Sequence, residues 1–168
     1  MRTLHILRHA KSSWDDPELA DYERPLSRRG VRDAKRMAVH LRELQIEPAV
    51  VLCSSSVRTR QTLDLIAASL GDAQIQVEDV LYGASVDALL KRLADLPDSV
   101  LSAMLIGHNP GLEDLVAWMA APGPLLDRVL AKFPTGALAT LALGDRTWGS
   151  VHQAGAELVS FMVPRDLG

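Results

Sequence analysis

Apolar positions along the chain fall into two alternating rhythms. Leu4–Leu7, Ala49–Leu52 and Leu101–Ile106 are short, mostly apolar runs bounded by polar residues, the pattern of strands buried on both faces. Ile75–Leu81, Ala137–Leu143 and Leu158–Val163 predict three more strands. Between these runs the apolar spacing changes to three and four residues. Val31, Ala34, Met37, Ala38 and Leu41 mark one face of a helix over Gly30–Glu43, with Ser27 as its cap. Thr62, Leu65, Ile66 and Ser69 do the same over Val57–Leu70, which Gly71-Asp72 stops. Val86–Leu96, closed by Pro97, and Leu112–Met119 predict two further helices. Ala121-Pro122-Gly123-Pro124 reads as a loop and Gly144–Gly149 as a turn.

Alternating strands and helices predict an α/β three-layer sandwich: a mostly parallel central sheet with helices on both faces and right-handed crossovers. The last two strands are close in sequence and are expected to form an antiparallel edge. A length of 168 residues fits one domain, residues 1–168. With 48% apolar and 23% charged residues the chain has a globular balance, which excludes disorder as its main state. The net charge of −3 gives no general basic excess for nucleic acid or an anionic membrane. The single cysteine, Cys53, excludes an intrachain disulfide framework and a multi-cysteine metal site. No apolar run approaches the ~20 residues of a membrane span, and the N-terminus is charged too early for a signal peptide. A reduced, cytoplasmic protein is the expectation.

Chemistry collects at the predicted strand ends, where open α/β sheets build their sites. The first strand ends in Arg8-His9, the second in Ser54-Ser55-Ser56 followed by Arg58, and the fourth in Gly107-His108-Asn109. Guanidinium forks match phosphate oxygens in pairs. A helix start near Val57 adds free N–H groups to an anion site. A neutral imidazole can attack phosphorus when one ring nitrogen is free and the other is held, and a second, charged histidine would neutralise the transferring oxygens. Phosphoryl transfer depends mainly on positioning and charge, so this set demands no metal and no cofactor.

The chain resembles the histidine phosphatase (phosphoglycerate mutase-like) superfamily, and its small SixA-type phosphohistidine phosphatase branch in particular. The resemblance rests on Leu7-Arg8-His9-Ala10-Lys11-Ser12-Ser13-Trp14, on Glu23-Arg24-Pro25-Leu26-Ser27 with Gly30, on Gly107-His108-Asn109-Pro110 and on Phe133-Pro134-Thr135-Gly136-Ala137. Trp148 and Leu158, Phe161 and Pro164 fit as well, so it spans Leu4 to Pro164. It implies that His9 is the phosphorylated nucleophile, that Arg8 and Arg58 grip the phosphoryl oxygens, and that His108 binds the same group. Arg24 is implied as a further phosphate or substrate contact, and Asn109 as a residue that lines the pocket or orients its loop. A phosphorylated protein or a small phosphorylated substrate is the implied partner.

Two departures from the superfamily pattern matter. Position 10 is Ala10 where Arg-His-Gly is usual, so the turn after His9 must use an ordinary backbone conformation. Many members carry an acid after the third strand; here Val80-Leu81-Tyr82-Gly83-Ala84 has none, Gly83 stands at the expected place, and Glu78 and Asp79 are out of register. An alkoxide leaving group needs a proton donor, whereas the imidazole of a protonated phosphoramidate leaves neutral. The missing acid therefore favours P–N substrates. The short Val80–Val86 link leaves no room for a long lid there.

Other readings stand beside this one: a phosphatase of small phosphoesters, a non-catalytic phosphate- or phosphoprotein-binding module, and a metallohydrolase using His5, His9 and His108, which lacks the usual carboxylate–histidine spacing. Taken singly, His9 and His108 read as loop residues, Arg58 as a surface cation beside Asp64, and Arg24 as half of a loop ion pair. Lys11 reads as a rim charge, His5 as a packed histidine, and His40 and His152 as surface residues. Cys53 reads as a small buried residue, since Arg58 is the fifth residue after it and a thiol phosphatase needs the sixth. The tryptophans read as packing, and Asp15, Asp16, Glu18 and Asp21 as a solvated loop.

Overall fold

A computed structural model describes residues 1–167. Six strands form one sheet: β1 (Arg2–Arg8), β2 (Val50–Ser54), β3 (Gln74–Glu78), β4 (Ser102–Gly107), β5 (Leu138–Gly144) and β6 (Glu157–Met162). Their spatial order is β3-β2-β4-β1-β5-β6. The first four strands pair in parallel. β5 runs antiparallel to both β1 and β6, so the predicted antiparallel edge is present. Helices α1 (Arg28–Glu43) and α2 (Val57–Ile66) lie on one face, over a core that includes Leu7, Met37, Leu41, Val51, Ile66 and Met104. Helices α3 (Val86–Ala94), α4 (Gly111–Met119) and α5 (Pro124–Ala131) cover the other, over Leu4, Ile6, Leu52, Leu93, Leu105 and Trp148. This is the expected three-layer sandwich.

Local chemistry explains the element boundaries. The Ser27 side chain accepts the Gly30 N–H and caps α1, whose inward face carries Ala34, Met37 and Leu41. α2 tightens into a 3-10 turn over Ala67–Ser69, and Gly71 ends the segment at φ +63. Trp148 is fully buried, and its indole N–H donates to the Val100 carbonyl at 2.8 Å. No described helix is long and apolar enough to cross a membrane.

Three expectations need correction. The third strand stops at Glu78, and Asp79–Leu81 is a 3-10 turn. β3 is an edge strand with one neighbour, so Ile75 and Val77 stay nearly half exposed rather than buried. Ala121-Pro122-Gly123-Pro124 was expected as a loop, yet α5 begins at Pro124, where proline's fixed φ suits the first helical position. The turn before β6 also contains a 3-10 segment, Trp148–Ser150.

Gly30 fixes how α1 meets the strand-end loop. A Cβ there would collide with the Lys11 carbonyl, and that carbonyl accepts the Ser27 N–H at 2.8 Å. Backbone cannot yield as a flexible side chain would. Gly30→Ala is therefore expected to destabilise the fold by about 1–3 kcal/mol, seen as a lowered urea midpoint. A midpoint equal to that of wild type would show that this contact has slack.

Candidate active site

The carboxyl ends of β1, β2 and β4 lie side by side, because β4 sits between the other two. That order places His9, the turn before α2 and His108 at one edge. The His9 and His108 ring centroids are 5.3 Å apart. Arg58, in the first turn of α2, donates from Nη2 to His108 Nδ1 at 3.3 Å. Arg8 donates from Nη1 to the Phe133 carbonyl at 2.9 Å, while its Nε is buried without a partner among the described residues. The four principal sequence candidates therefore converge.

His9 is held by its own turn. Its Nδ1–H donates to the Ala10 carbonyl at 2.7 Å, which leaves Nε2 with a free lone pair. The Ala10 N–H donates to Thr62 Oγ1 at 3.0 Å, so α2 anchors the adjoining peptide. Ala10 is not among the residues with positive φ, as its alanine side chain required. His9 is 6% exposed. Burial, with the nearby Arg58 and Arg8 charges acting in the same direction against the Ala10 hydrogen bond, pushes its pKa down to about 3.

His108 is also neutral. An arginine can only donate, so Nδ1 accepts from Arg58 and Nε2–H donates to Ser54 Oγ at 2.8 Å. Burial, reinforced by the Arg58 charge, lowers its pKa to about 4. The expectation of a charged second histidine is corrected here: with Arg58 at its side, the proton is unfavourable.

Asp21 was expected in a solvated loop and is instead a hub of the site. It belongs to the Ser12–Ser27 strap that crosses from β1 to α1. Its Oδ2 accepts from Arg58 Nη2 at 2.9 Å and from the Tyr82 hydroxyl at 2.6 Å. Its Oδ1 accepts from Arg24 Nη1 at 3.1 Å, and its backbone carbonyl accepts from Arg58 Nη1 at 2.7 Å. The Tyr82 hydrogen bond and the arginines hold the carboxyl down at about 2. Tyr82 packs edge-on against the His108 ring, centroids 5.4 Å apart. The link after β3 thus delivers a phenol to the site rather than an acid. Glu78 is withdrawn into a two-pronged pair with Arg92, 2.7 and 2.8 Å.

Arg24 lies one step back. Its Nε donates to the Ser13 carbonyl at 3.1 Å, Nη1 to Asp21 and Nη2 to Ser12 Oγ, and its guanidinium stacks on Trp14. These contacts clamp the strap. Asn109 donates from Nδ2 to the Phe133 carbonyl at 3.0 Å, and its Oδ1 accepts the Glu113 N–H at 3.2 Å. It ties the β4–α4 loop to the carbonyl that also holds Arg8. His5 lies behind the site in β1, its Nδ1 3.0 Å from Thr140 Oγ1, and burial lowers its pKa to about 4. Cys53 is buried, and burial pushes its thiol up to about 12, which removes it as a nucleophile. Among the described residues no His, Cys, Asp and Glu group forms a metal-holding cluster. A cleft of about 710 Å³ lies beside Met1 and the β5–β6 connection, at the opposite edge of the sheet.

A mostly parallel sheet whose strand ends present two neutral imidazoles beside two guanidiniums is equipped for phosphoryl transfer. The family model for the histidine phosphatase superfamily (branch 1) matches residues 4–101, and the chain belongs to that superfamily. It is accordingly a phosphatase of the histidine-nucleophile type, and its similarity runs to the SixA group. A Mycobacterium tuberculosis protein is 35% identical over 164 residues, 95% of this chain and 100% of the relative. A solved structure from Nakamurella multipartitia, provisionally named phosphohistidine phosphatase SixA, is 34% identical with a TM-score of 0.81, covering 97% of this chain and 96% of that one. The protein histidine phosphatase SixA complexed with tungstate is 26% identical, also with a TM-score of 0.81, and covers 99% of both chains.

Two outcomes follow. Burial holds the pKa values of His5, His9 and His108 down at about 4, 3 and 4, below the 6.5 of a free imidazole. Between those values the unfolded chain binds more protons, so stability is full above pH 6.5 and is lost as pH falls toward 4. Denaturation midpoints measured from pH 7.5 to 4.5 should fall steadily, and a flat profile would contradict the neutral histidines. Asp21→Asn removes the charge that aims Arg58. It should lower kcat on an aryl phosphate about 10–100-fold, the scale of a small misplacement of a reacting group, with the folded spectrum unchanged. Retention of full kcat would show that Arg58 holds its place alone.

Proposed function

We propose that the protein dephosphorylates phosphohistidine on a protein partner through a covalent phospho-His9 intermediate. The observation that carries this reading is the tautomer of His9: Nδ1–H is committed to the Ala10 carbonyl, and the buried ring stays neutral with Nε2 free. In the first step Nε2 bonds to phosphorus and the P–N bond of the substrate breaks. The departing imidazole, protonated at its other nitrogen, leaves neutral. Arg8 and Arg58 balance the charge on the phosphoryl oxygens, and His108, its Nε2–H held by Ser54, supports the Arg58 guanidinium through Nδ1 beside the same group. Because His9 keeps its Nδ1 proton, the phosphorylated ring is itself a good leaving group. Water then attacks phosphorus, the N–P bond breaks to release neutral His9, and both of the water's protons leave with the inorganic phosphate. Arg24 acts through Asp21, and Asn109 through the Phe133 carbonyl, as positioning residues.

The preference for P–N over P–O substrates is supported by the proton inventory. Asp21 is the carboxyl group bonded to Arg58, and a group held at about 2 has no proton to give at neutral pH. Tyr82 spends its proton on Asp21, and its pKa is raised by that bond. Similarity to proteins named as phosphohistidine phosphatases points the same way.

Rapid acid-free quenching with a radiolabelled phosphohistidine peptide should trap acid-labile, base-stable phosphate on the wild-type chain and none on His9→Ala. Arg58→Ala should lose about 10²–10³ in rate, or roughly 3–4 kcal/mol, as donors aimed at transition-state charge do. Faster turnover of an aryl phosphate than of the peptide would transfer the assignment to small phosphoesters. Anion binding without turnover of either would leave a binding module.

A further inference from the structure

A second charged cavity lies on the same edge of the sheet as His9. β5 is antiparallel to β1, with Leu138 opposite Leu7, and Met162 of β6 stands opposite Leu138. The start of β5 and the end of β6 therefore adjoin the catalytic edge. There, a cavity of about 290 Å³ is bounded by Arg29 of α1, Arg128 and Lys132 at the end of α5, and Arg165 after β6. Phe161 and Val163 form a buried apolar floor. The Arg128 guanidinium lies over the Phe161 ring, 5.5 Å from its centroid.

Two carboxylates touch these cations and do not neutralise them. Asp33 is 3.6 Å from Arg29 and is shared with Arg36 at 3.5 Å; Asp166 is 3.7 Å from Arg128. Among the described residues Lys132 and Arg165 make no ion pair. The concentration runs against the chain's net charge of −3. α1 alone carries six Lys or Arg in sixteen residues. Four cations around one cavity would repel each other without an anionic occupant.

The cavity also adjoins the catalytic loop. Its wall includes Pro134 and Thr135. The preceding residue, Phe133, gives its carbonyl to Arg8 and Asn109, and its ring packs on Phe161 at 5.4 Å. The following residue, Gly136, donates its N–H to the Arg8 and His9 carbonyls. Two strand spacings separate β1 from β6, about 10 Å. An extended peptide covers that distance in about three residues.

We propose that this cavity is a specificity subsite for an acidic side chain on the phosphorylated protein, about three residues from the phosphohistidine. The inference rests on the phosphohistidine reading above. The carboxylate enters between Lys132, Arg128 and Arg165, its methylenes lie on the Phe161 floor, and the phosphoryl group reaches His9. The subsite selects partners and takes no part in the chemical step.

The test uses two synthetic phosphohistidine peptides, one with Glu three residues to either side of the phosphohistidine and one with Gln at both places. Wild type should show a roughly five- to tenfold higher kcat/KM on the Glu peptide, carried by KM and eroded by added salt, as exposed charge pairs are. The Arg128→Gln/Lys132→Gln/Arg165→Gln variant should treat both peptides alike while turning over an aryl phosphate at the wild-type rate. Equal turnover of the two peptides by wild type, or a preference that survives in the variant, overturns the subsite. Hydrolysis of the aryl phosphate with neither peptide cleaved overturns the phosphohistidine reading itself, and the subsite with it.

Discussion

One hydrogen bond inside a single turn organises the site. The Ala10 carbonyl takes the His9 Nδ1 proton, so the opposite nitrogen carries the lone pair and its direction is set by backbone. A backbone acceptor cannot rotate away as a side chain can, and this one is itself held, because α2 hydrogen-bonds the adjoining peptide through Thr62. Ala10 fits here because it is completely buried and uses ordinary φ. Any larger residue would push α1 and α2 off the strand end. Sheet order does the rest, since only a β2-β4-β1 arrangement brings Arg58 and His108 to the same ring.

The remaining constraint is electrostatic. Arg8 and Arg58 are close enough that each disfavours a proton on both histidines. Without a counter-charge, Arg58 would be free to swing toward solvent. Asp21 provides that counter-charge from the strap, with Tyr82 and Arg24 fixing the carboxylate in turn. Asp21 is half exposed, so its attraction to Arg58 is partly screened by water. It orients the guanidinium without consuming the cation's capacity for a second anion. Arg58 Nη1 meanwhile donates to the backbone carbonyl of the same residue at 2.7 Å.

The sequence made the sheet legible where strands are central and least legible at the edges. β1, β2 and β4 are hydrophobic because both faces are covered, and their apolar runs mark them. β3 has one neighbour, so Ile75 and Val77 need no burial and the run no longer says where the strand ends. α5 was hidden by Pro122-Gly123-Pro124, read as loop residues, although proline at a first helical position is also a start signal. His9, Arg58 and His108 were legible because each follows a strand end. Asp21 was not, because a carboxylate in a polar strap looks like any surface acid until the fold brings it to Arg58. Its one sequence signal was Arg24, three residues on, within a motif already marked as functional. Tyr82 carries no such signal, because a phenol after a strand acquires its place only when the strap brings Asp21 to it.

These facts together define what the site can release. Two histidines lowered to about 3 and 4 and a carboxyl lowered to about 2 leave the pocket without a proton to donate near neutrality. Burial lowers both histidines and the Tyr82 hydrogen bond lowers Asp21, and the arginine charges act in the same direction on all three. A leaving group that needs a proton at the moment of bond breaking is poorly served. One that arrives already protonated at a remote nitrogen is served well. On the proposed reading the chemistry of release falls to the substrate, and the protein's contribution is alignment, charge balance and a His9 that stays neutral beside two guanidinium groups.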